Sequence, residues 1–170
     1  MRGKKGYEHL DPADPPRRRA NKQRGRGTYA NDRPPILGTV GRQTGDCRLR
    51  VVLDTQGPTL QDHVHAFTRT GVAVYTDEYS SYHHIVRPHA TVSHGDREWA
   101  RDGDGDGWRE IHCNTIEGLW TDVRNFLRPF KGVHKKFLPG YIAICEIRRN
   151  YQRITPYFIA ELVAFHSFYP

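Results

Sequence analysis

An apolar stripe runs along residues 115–128. Its members recur every three or four positions and so share one helix face; they are Ile116, Leu119, Trp120, Val123 and Leu127. Pro129 ends this pattern, because proline cannot continue a helix. A helix with one apolar face has to bury that face against another layer of structure, so the stripe predicts a packed domain.

Short β-rich runs precede this helix. Residues 36–40 and 47–53 are separated by the turn-forming residues 43–46, which predicts a hairpin. Residues 72–75 form an apolar run typical of a buried, parallel strand, and residues 89–94 could form another.

Three further segments predict helices. Thr59 can cap a helix that runs to Arg69, residues 139–151 form a second amphipathic helix, and residues 154–168 could form a last one rich in aromatic residues. Residues 95–110 are polar and rich in Gly and Asp, which predicts a loop. The order of these elements predicts an α/β fold in which helices flank a mixed sheet.

The charge is unevenly distributed along the chain. Residues 1–33 hold ten Lys and Arg against four acids, residues 34–108 hold seven against ten, and residues 109–153 hold nine against four. Basic flanks around an acidic centre suit a protein that holds a polyanion outside and cations inside, although a solvated surface with a basic tail would look the same.

The composition also predicts three parts. Residues 1–33 have few apolar side chains and are expected to form a poorly ordered arm, in which Arg17, Arg18 and Arg19 either contact DNA phosphates or belong to a solvated linker. Residues 34–152 would form the core, and residues 153–170 a helical extension.

Several classes of protein are excluded by what the sequence lacks. No run of about 20 apolar residues could span a membrane, and no apolar run follows a basic start as in a secretory signal. Cys47, Cys113 and Cys145 are too far apart for a zinc ribbon and odd in number, which favours a reduced, cytoplasmic protein.

Two carboxylates stand where metal chemistry is expected. Asp77 follows the strand at 72–75, at the end where α/β sheets place their ligands, although a lone Asp there is more often a turn residue. Glu117 lies in the first turn of the 115–128 helix, where pairing with the helix dipole is the simpler interpretation. Arg124 lies two turns further along the same face, and Arg128 and Lys131 extend the basic line.

The words around these residues are more specific. Residues 75–82 read YTDEYSSY and residues 112–120 read HCNTIEGLW. Together they resemble the signature segments of insertion-sequence DDE transposases of the ISXO-like group, and residues 92–95 and 124–133 resemble further parts of its pattern. The resemblance runs from about Asp11 to about Asn150.

This resemblance implies an RNase H-like fold in which three carboxylates bind Mg²⁺ (or Mn²⁺) for DNA strand cleavage and transfer. Asp77 matches the second carboxylate and Glu117 the third. Asn114 remains a competing third ligand, and Arg124 holds the customary basic position, with Arg128 and Lys131 as further phosphate contacts. DNA would be the partner, and the full-length family implies a homo-oligomer.

One part of the family pattern has no counterpart in the chain. The first catalytic Asp of the family ends a strand, and no apolar strand ending in Asp precedes residue 34. The sequence therefore predicts a truncated and inactive transposase that lacks its first catalytic strand. The alternative is a non-catalytic, DNA-binding remnant of a transposase.

One further segment of the sequence is similar to a calcium-binding loop. Residues 102–107 read DGDGDG, like the start of an EF-hand loop, but the twelfth position is Cys113 and not the required Glu. The sequence therefore predicts a flexible acidic loop at this position.

Overall fold

A computed structural model describes residues 27–30, 33–151, 156 and 160 of the chain. In this part, six strands and three α-helices are formed: β1 (Ile36–Val40), β2 (Cys47–Val51), α1 (Gly57–Phe67), β3 (Val74–Asp77), β4 (His89–Val92), β5 (Ala100–Arg101), β6 (Ile111–His112), α2 (Asn114–Leu127) and α3 (Leu138–Asn150). Two 3₁₀ turns, Ser80–His84 and Arg128–Phe130, follow β3 and α2. The α/β class is thus as predicted.

The strands β1 and β2 form the predicted antiparallel hairpin, in which Gly38 pairs with Leu49. Along β2, Cys47 and Leu49 are buried while Arg48 and Arg50 are exposed, as the alternation of apolar and charged residues requires. The outer edge of β2 is covered by α3, since the carboxylate of Glu146 accepts the backbone N–H of Leu49 at 2.6 Å.

The strands β3 and β4 are parallel, in a register that sets Asp77 opposite Val92. We expected a strand at 72–75, whereas β3 begins at Val74, whose N–H donates to the carbonyl of Pro88. Gly71, with a φ of +85°, turns the chain just before this pairing starts. Asp77 is consequently the last residue of its strand.

The helix α1 begins two residues before Thr59, so the prediction that Thr59 caps it was wrong. The hydroxyl of Thr59 donates instead to the carboxylate of Asp54, which also accepts the N–H of Gln56. Pro58 stands at the start of the helix, where its missing N–H has no cost.

The helix α2 packs against the buried clusters of two strand pairs, the hairpin β1–β2 and the parallel pair β3–β4. Leu119 and Val123 are almost fully buried in a cluster with β2 and α3. Ile116 packs against this cluster and also against the cluster of Val92, Ile111 and Cys113 beneath β4 and β6. One helix thereby fixes the position of the hairpin relative to the parallel pair.

The predicted mixed sheet is divided in this structure. The described strands form three separate pairs, β1 with β2, β3 with β4, and β5 with β6. The short pair β5–β6 lies within and just after the segment expected to be a loop. In the antiparallel register, Ile36, Gly38 and Val40 turn their backbone N–H and C=O groups away from β2. Tyr75 and Asp77 likewise turn theirs away from β4.

The ends of the chain lie largely outside the described residues. The predicted arm, including Arg17, Arg18 and Arg19, is outside them except for residues 27–30 and 33. Of the helix predicted at 154–168, Pro156 and Ala160 are described, and both are helical and exposed. No helix within the described ranges is long and apolar enough to cross a membrane.

Candidate active site

Asp77 ends β3 and is half-buried. Its Oδ1 accepts the backbone N–H of Tyr79 at 3.1 Å, which fixes the carboxylate against the turn that follows the strand. This is the turn geometry that a lone Asp after a strand was expected to adopt. It engages one oxygen, and Oδ2 has no hydrogen-bond partner in the described part of the chain.

Glu117 lies in the first turn of α2, with its side chain 53% exposed. Asn114 is the first residue of the same helix and is also exposed. Residues three apart on a helix share a face, so both oxygen donors stand on one side of α2. The geometry therefore leaves Glu117 and Asn114 both open as the third ligand.

The charges of both carboxylates act on the buried thiol of Cys113. Burial, and after it the negative charges of Asp77 and Glu117, raise the pKa of this thiol to about 11. Cys113 immediately precedes α2 and belongs to the buried cluster that also contains Val92, the strand partner of Asp77. The end of β3 and the start of α2 thus meet above the same small core.

The turn after β4 supplies two further residues of this site. Nε2 of His94 lies 3.2 Å from Oε1 of Glu117. The carboxylate of Glu78 accepts the N–H groups of His94 and Gly95, both at 3.0 Å. Neither His94 nor Glu78 was predicted to have a role, although both stand inside the segments that carry the resemblance.

The basic residues predicted to contact DNA lie further along α2 and just after its end. Arg124 is exposed and donates to the hydroxyl of Thr121 at 3.3 Å. Seven residues of helix place it roughly 10 Å along the axis from Glu117, on nearly the same face. Arg128 and Lys131 follow, also exposed, beside the 3₁₀ turn that continues the helix. Three exposed basic residues therefore follow Glu117 along the chain, the first of them about two helical turns away.

His112 points elsewhere. Its Nε2 contacts the guanidinium of Arg42, which also stacks over the ring of Tyr75 at 4.8 Å. Burial and the charge of Arg42 lower the pKa of His112. It therefore connects the hairpin to β6.

The acidic loop contains a second group of carboxylates. One oxygen from each of four side chains lies within 4.8 Å of the others, and they are Asp102, Asp104, Asp106 and Glu110. Backbone N–H groups of the loop explain much of this arrangement, since those of Gly107 and Gly105 donate to Asp102 and lower its pKa. Glu110 was not predicted to belong to this group, because the acidic loop was compared only with the EF-hand spacing.

The donor set at Asp77 and Glu117 fits a hard divalent cation. Each carboxylate has one oxygen engaged, by Tyr79 or by His94, and one oxygen without a partner among the described residues. Carboxylate oxygens of this kind are the ligands that Mg²⁺ and Mn²⁺ prefer. The residues present therefore fit the metal that the resemblance implies.

Comparisons with known proteins agree with the segments identified above. Residues 6–150 match the family described as the ISXO2-like transposase domain. The chain is 31% identical over 153 residues to an uncharacterized protein in the transposable element ISH50 of Halobacterium salinarum, with 87% of this chain and 48% of that protein covered. The chain thus spans about half the length of this relative. No solved structure shows a significant match. Since the family match covers most of the chain, the chain belongs to the ISXO2-like transposase domain family of insertion-sequence transposases.

Proposed function

We propose that this chain carries part of a metal-dependent site for DNA strand cleavage and transfer in the transposition of an insertion sequence. Asp77 and Glu117 would hold Mg²⁺ or Mn²⁺, and Arg124, Arg128 and Lys131 would contact DNA phosphates. The observation that carries the proposal is that Tyr75 of β3 and Ile116 of α2 pack against the same buried cluster, so that the strand that ends at Asp77 lies near the helix turn that bears Glu117.

The metal, the two carboxylates and the basic residues would each have a separate task in DNA cleavage. A divalent metal at this site would polarise a phosphate oxygen and activate the attacking hydroxyl. Asp77 and Glu117 would hold that metal through the carboxylate oxygens that have no partner among the described residues. The guanidinium of Arg124 and the charges beyond it bind the polyanion so that a phosphodiester lies beside Glu117.

The unpaired strand edges support an RNase H-like arrangement. In the described chain, β1 and β3 each have one edge whose N–H and C=O groups meet no neighbouring strand, and α2 packs beneath both pairs. We propose that the strand bearing the first catalytic carboxylate of the family belongs between these edges, next to Asp77. The core would be residues 34–152, and the full-length family would act on transposon ends and target DNA as a homo-oligomer.

Among the described residues two carboxylates are assigned to the metal, which is enough to bind it but one fewer than the family's catalytic set, so we expect no DNA cleavage from this chain alone. Purified protein is incubated with Mg²⁺ or Mn²⁺ and DNA that contains the element's ends, and nicking is measured on a denaturing gel. Cleavage that is lost in the Asp77→Asn variant would show a competent enzyme and would contradict the expected inactivity. Cleavage that survives in this variant would overturn the assignment of Asp77.

DNA binding is expected regardless of cleavage, as the alternative function of a DNA-binding remnant also requires. The logarithm of the association constant is measured against the logarithm of the salt concentration. Replacing Arg124, Arg128 and Lys131 by Ala should reduce the magnitude of the slope by roughly 2 to 3, since each phosphate contact contributes about 0.9. Arg69→Ala, exposed between α1 and β3, is the matched control and should change the slope by less than about 1. An equal loss in both proteins would sink the proposed interface.

A further inference from the structure

The turn that follows β4 is held closed by its own side chains. The hydroxyl of Ser93 donates to the carboxylate of Asp96 at 2.7 Å, and the N–H of Ser93 donates to Glu98 at 3.0 Å. The N–H of Glu98 returns to the carbonyl of Ser93 at 2.9 Å. His94 therefore projects from a turn with little freedom to rearrange.

Glu78 ties this turn to β3. Its carboxylate accepts the N–H groups of His94 and Gly95, while its own backbone N–H also contributes to lowering its pKa. Glu78 is the residue directly after Asp77. The position of the His94 backbone is consequently set by the strand that carries the other carboxylate of the site.

The ring of His94 lies between two partners. One side packs against Trp99, with ring centroids 5.3 Å apart and an angle of 36° between the planes. Nε2 lies 3.2 Å from Oε1 of Glu117, and Nδ1 is buried without a hydrogen-bond partner in the described part of the chain. This arrangement requires the proton on Nε2, because that nitrogen alone has an acceptor.

Glu117 depends on this contact for its orientation. Its side chain is 53% exposed on the first turn of α2. Among the described residues, the side chain that contacts its carboxylate is that of His94. An exposed Glu without such a partner would sample several rotamers. A hydrogen bond from a fixed ring removes much of that freedom.

We propose that His94 is a positioning residue that orients the carboxylate of Glu117 by a hydrogen bond from Nε2, and that Glu78 fixes His94 for this task. The inference rests on the proposed function only in that Glu117 is taken as a metal ligand. The hydrogen bond itself is independent of that assignment. Residues that orient metal ligands in this way commonly change metal affinity by roughly 10- to 100-fold when they are removed.

Two variants separate the hydrogen bond from simple packing. His94→Phe keeps an aromatic ring against Trp99 but has no donor, whereas His94→Gln loses the ring and keeps an N–H at the same distance along the side chain. If His94 positions Glu117, the Phe variant is impaired and the Gln variant is rescued. If His94 only packs, the order of the two variants is reversed.

Mn²⁺ is titrated into the full chain labelled with ¹⁵N. Its binding is measured as the loss of the tryptophan indole signals. Trp99 contacts His94 and reports on the Glu117 site, whereas Trp108 follows Asp106 and reports on the acidic loop. Asp104→Asn with Asp106→Asn serves as the background in every sample, because it removes ligands of the competing loop.

We expect His94→Phe to weaken the Mn²⁺ effect on Trp99 by roughly 10-fold or more, and His94→Gln to remain close to the unsubstituted protein. Equal affinities in the Phe variant and the unsubstituted protein would overturn the positioning role. The proposed function fails separately, if Asp77→Asn and Glu117→Gln leave the Mn²⁺ effect unchanged.

A second readout needs no metal. The ¹⁵N shifts of the His94 ring report which nitrogen carries the proton, and the proposal requires Nε2. Glu117→Gln should leave the fold intact by its ¹H–¹⁵N spectrum and shift the Nε2 signal of His94. A ring protonated on Nδ1 alone would overturn the proposed hydrogen bond, whatever the metal does.

Discussion

His63 on α1 is a buried polar residue whose state depends on pH. It is 2% exposed, and neither ring nitrogen has a hydrogen-bond partner within the described part of the chain. Phe67 packs edge-on against the ring at 4.9 Å, and Arg50 of β2 supplies a positive charge nearby. Burial, and then Arg50, lower the pKa of His63 to about 4.

The stability of the protein should therefore fall in mild acid. The neutral ring is favoured in the folded state, so its contribution is present above pH 6.5 and is lost as the pH falls toward about 4. Between pH 7 and pH 5 this amounts to about 2 kcal/mol of unfolding free energy. Urea unfolding of His63→Leu should show a weaker pH dependence than the unsubstituted protein by this amount. Identical dependence in the two proteins would contradict the burial of an uncharged His63.

Individual site residues could be predicted from the sequence only where a signature word named them. Asp77 and Glu117 were identified in this way, and their placement by the structure is compatible with that prediction. His94 and Glu78 could not be assigned, because their roles arise from contacts across 23 and 16 residues of chain. No local pattern reports a side chain that meets a backbone N–H in the turn after a neighbouring strand.

At the scale of elements, side chains of α3 form hydrogen bonds with the outer backbone groups of the hairpin, where a third strand would otherwise pair. Asn150 accepts the N–H of Cys47 at 2.8 Å and donates to the carbonyl of Cys47 at 2.9 Å, while Glu146 serves Leu49. These are the outward groups of β2, which a neighbouring strand would otherwise satisfy. Helix side chains thus close one edge of the sheet.

Asn150→Ala should expose this dependence. Two backbone groups of Cys47 lose their partners, which costs about 1–3 kcal/mol of unfolding free energy. The matched control is Asn125→Ala on the exposed face of α2, which should change stability by only a few tenths of a kcal/mol, in the stabilising direction. Urea unfolding and hydrogen exchange of the Cys47 amide measure both effects. Equal stabilities of the two variants would show that the edge of β2 needs no cover.

The elements themselves were largely predictable because their signals are local. The alternation at Arg48, Leu49 and Arg50 identified β2, and the stripe along α2 gave its bounds within one residue. The start of β3 was misplaced by two residues, since the bond from Val74 to Pro88 decides it and neither residue reveals the other. The pair β5–β6 was missed because two-residue strands carry no periodicity.

For the whole molecule, the charge pattern corresponds to the arrangement of the site. The acidic centre of the sequence contributes Asp77, and the basic segment that follows contributes Arg124 on nearly the same face of α2 as Glu117, with Arg128 and Lys131 beyond the end of that helix. The proposed cation site and the proposed DNA surface would then adjoin each other, as the uneven charge suggested. The single mixed sheet could not be judged from the sequence, because strand pairing depends on which edges meet in three dimensions.

The proposed function requires a divalent metal bound by both Asp77 and Glu117. Crystals of the full chain grown with Mn²⁺ would locate the metal directly by anomalous scattering. We predict a peak within coordination distance of one carboxylate oxygen from each of these residues, and its loss in Asp77→Asn. A peak bound only by the carboxylates of Asp102, Asp104, Asp106 and Glu110, or no peak at all, would contradict the claim.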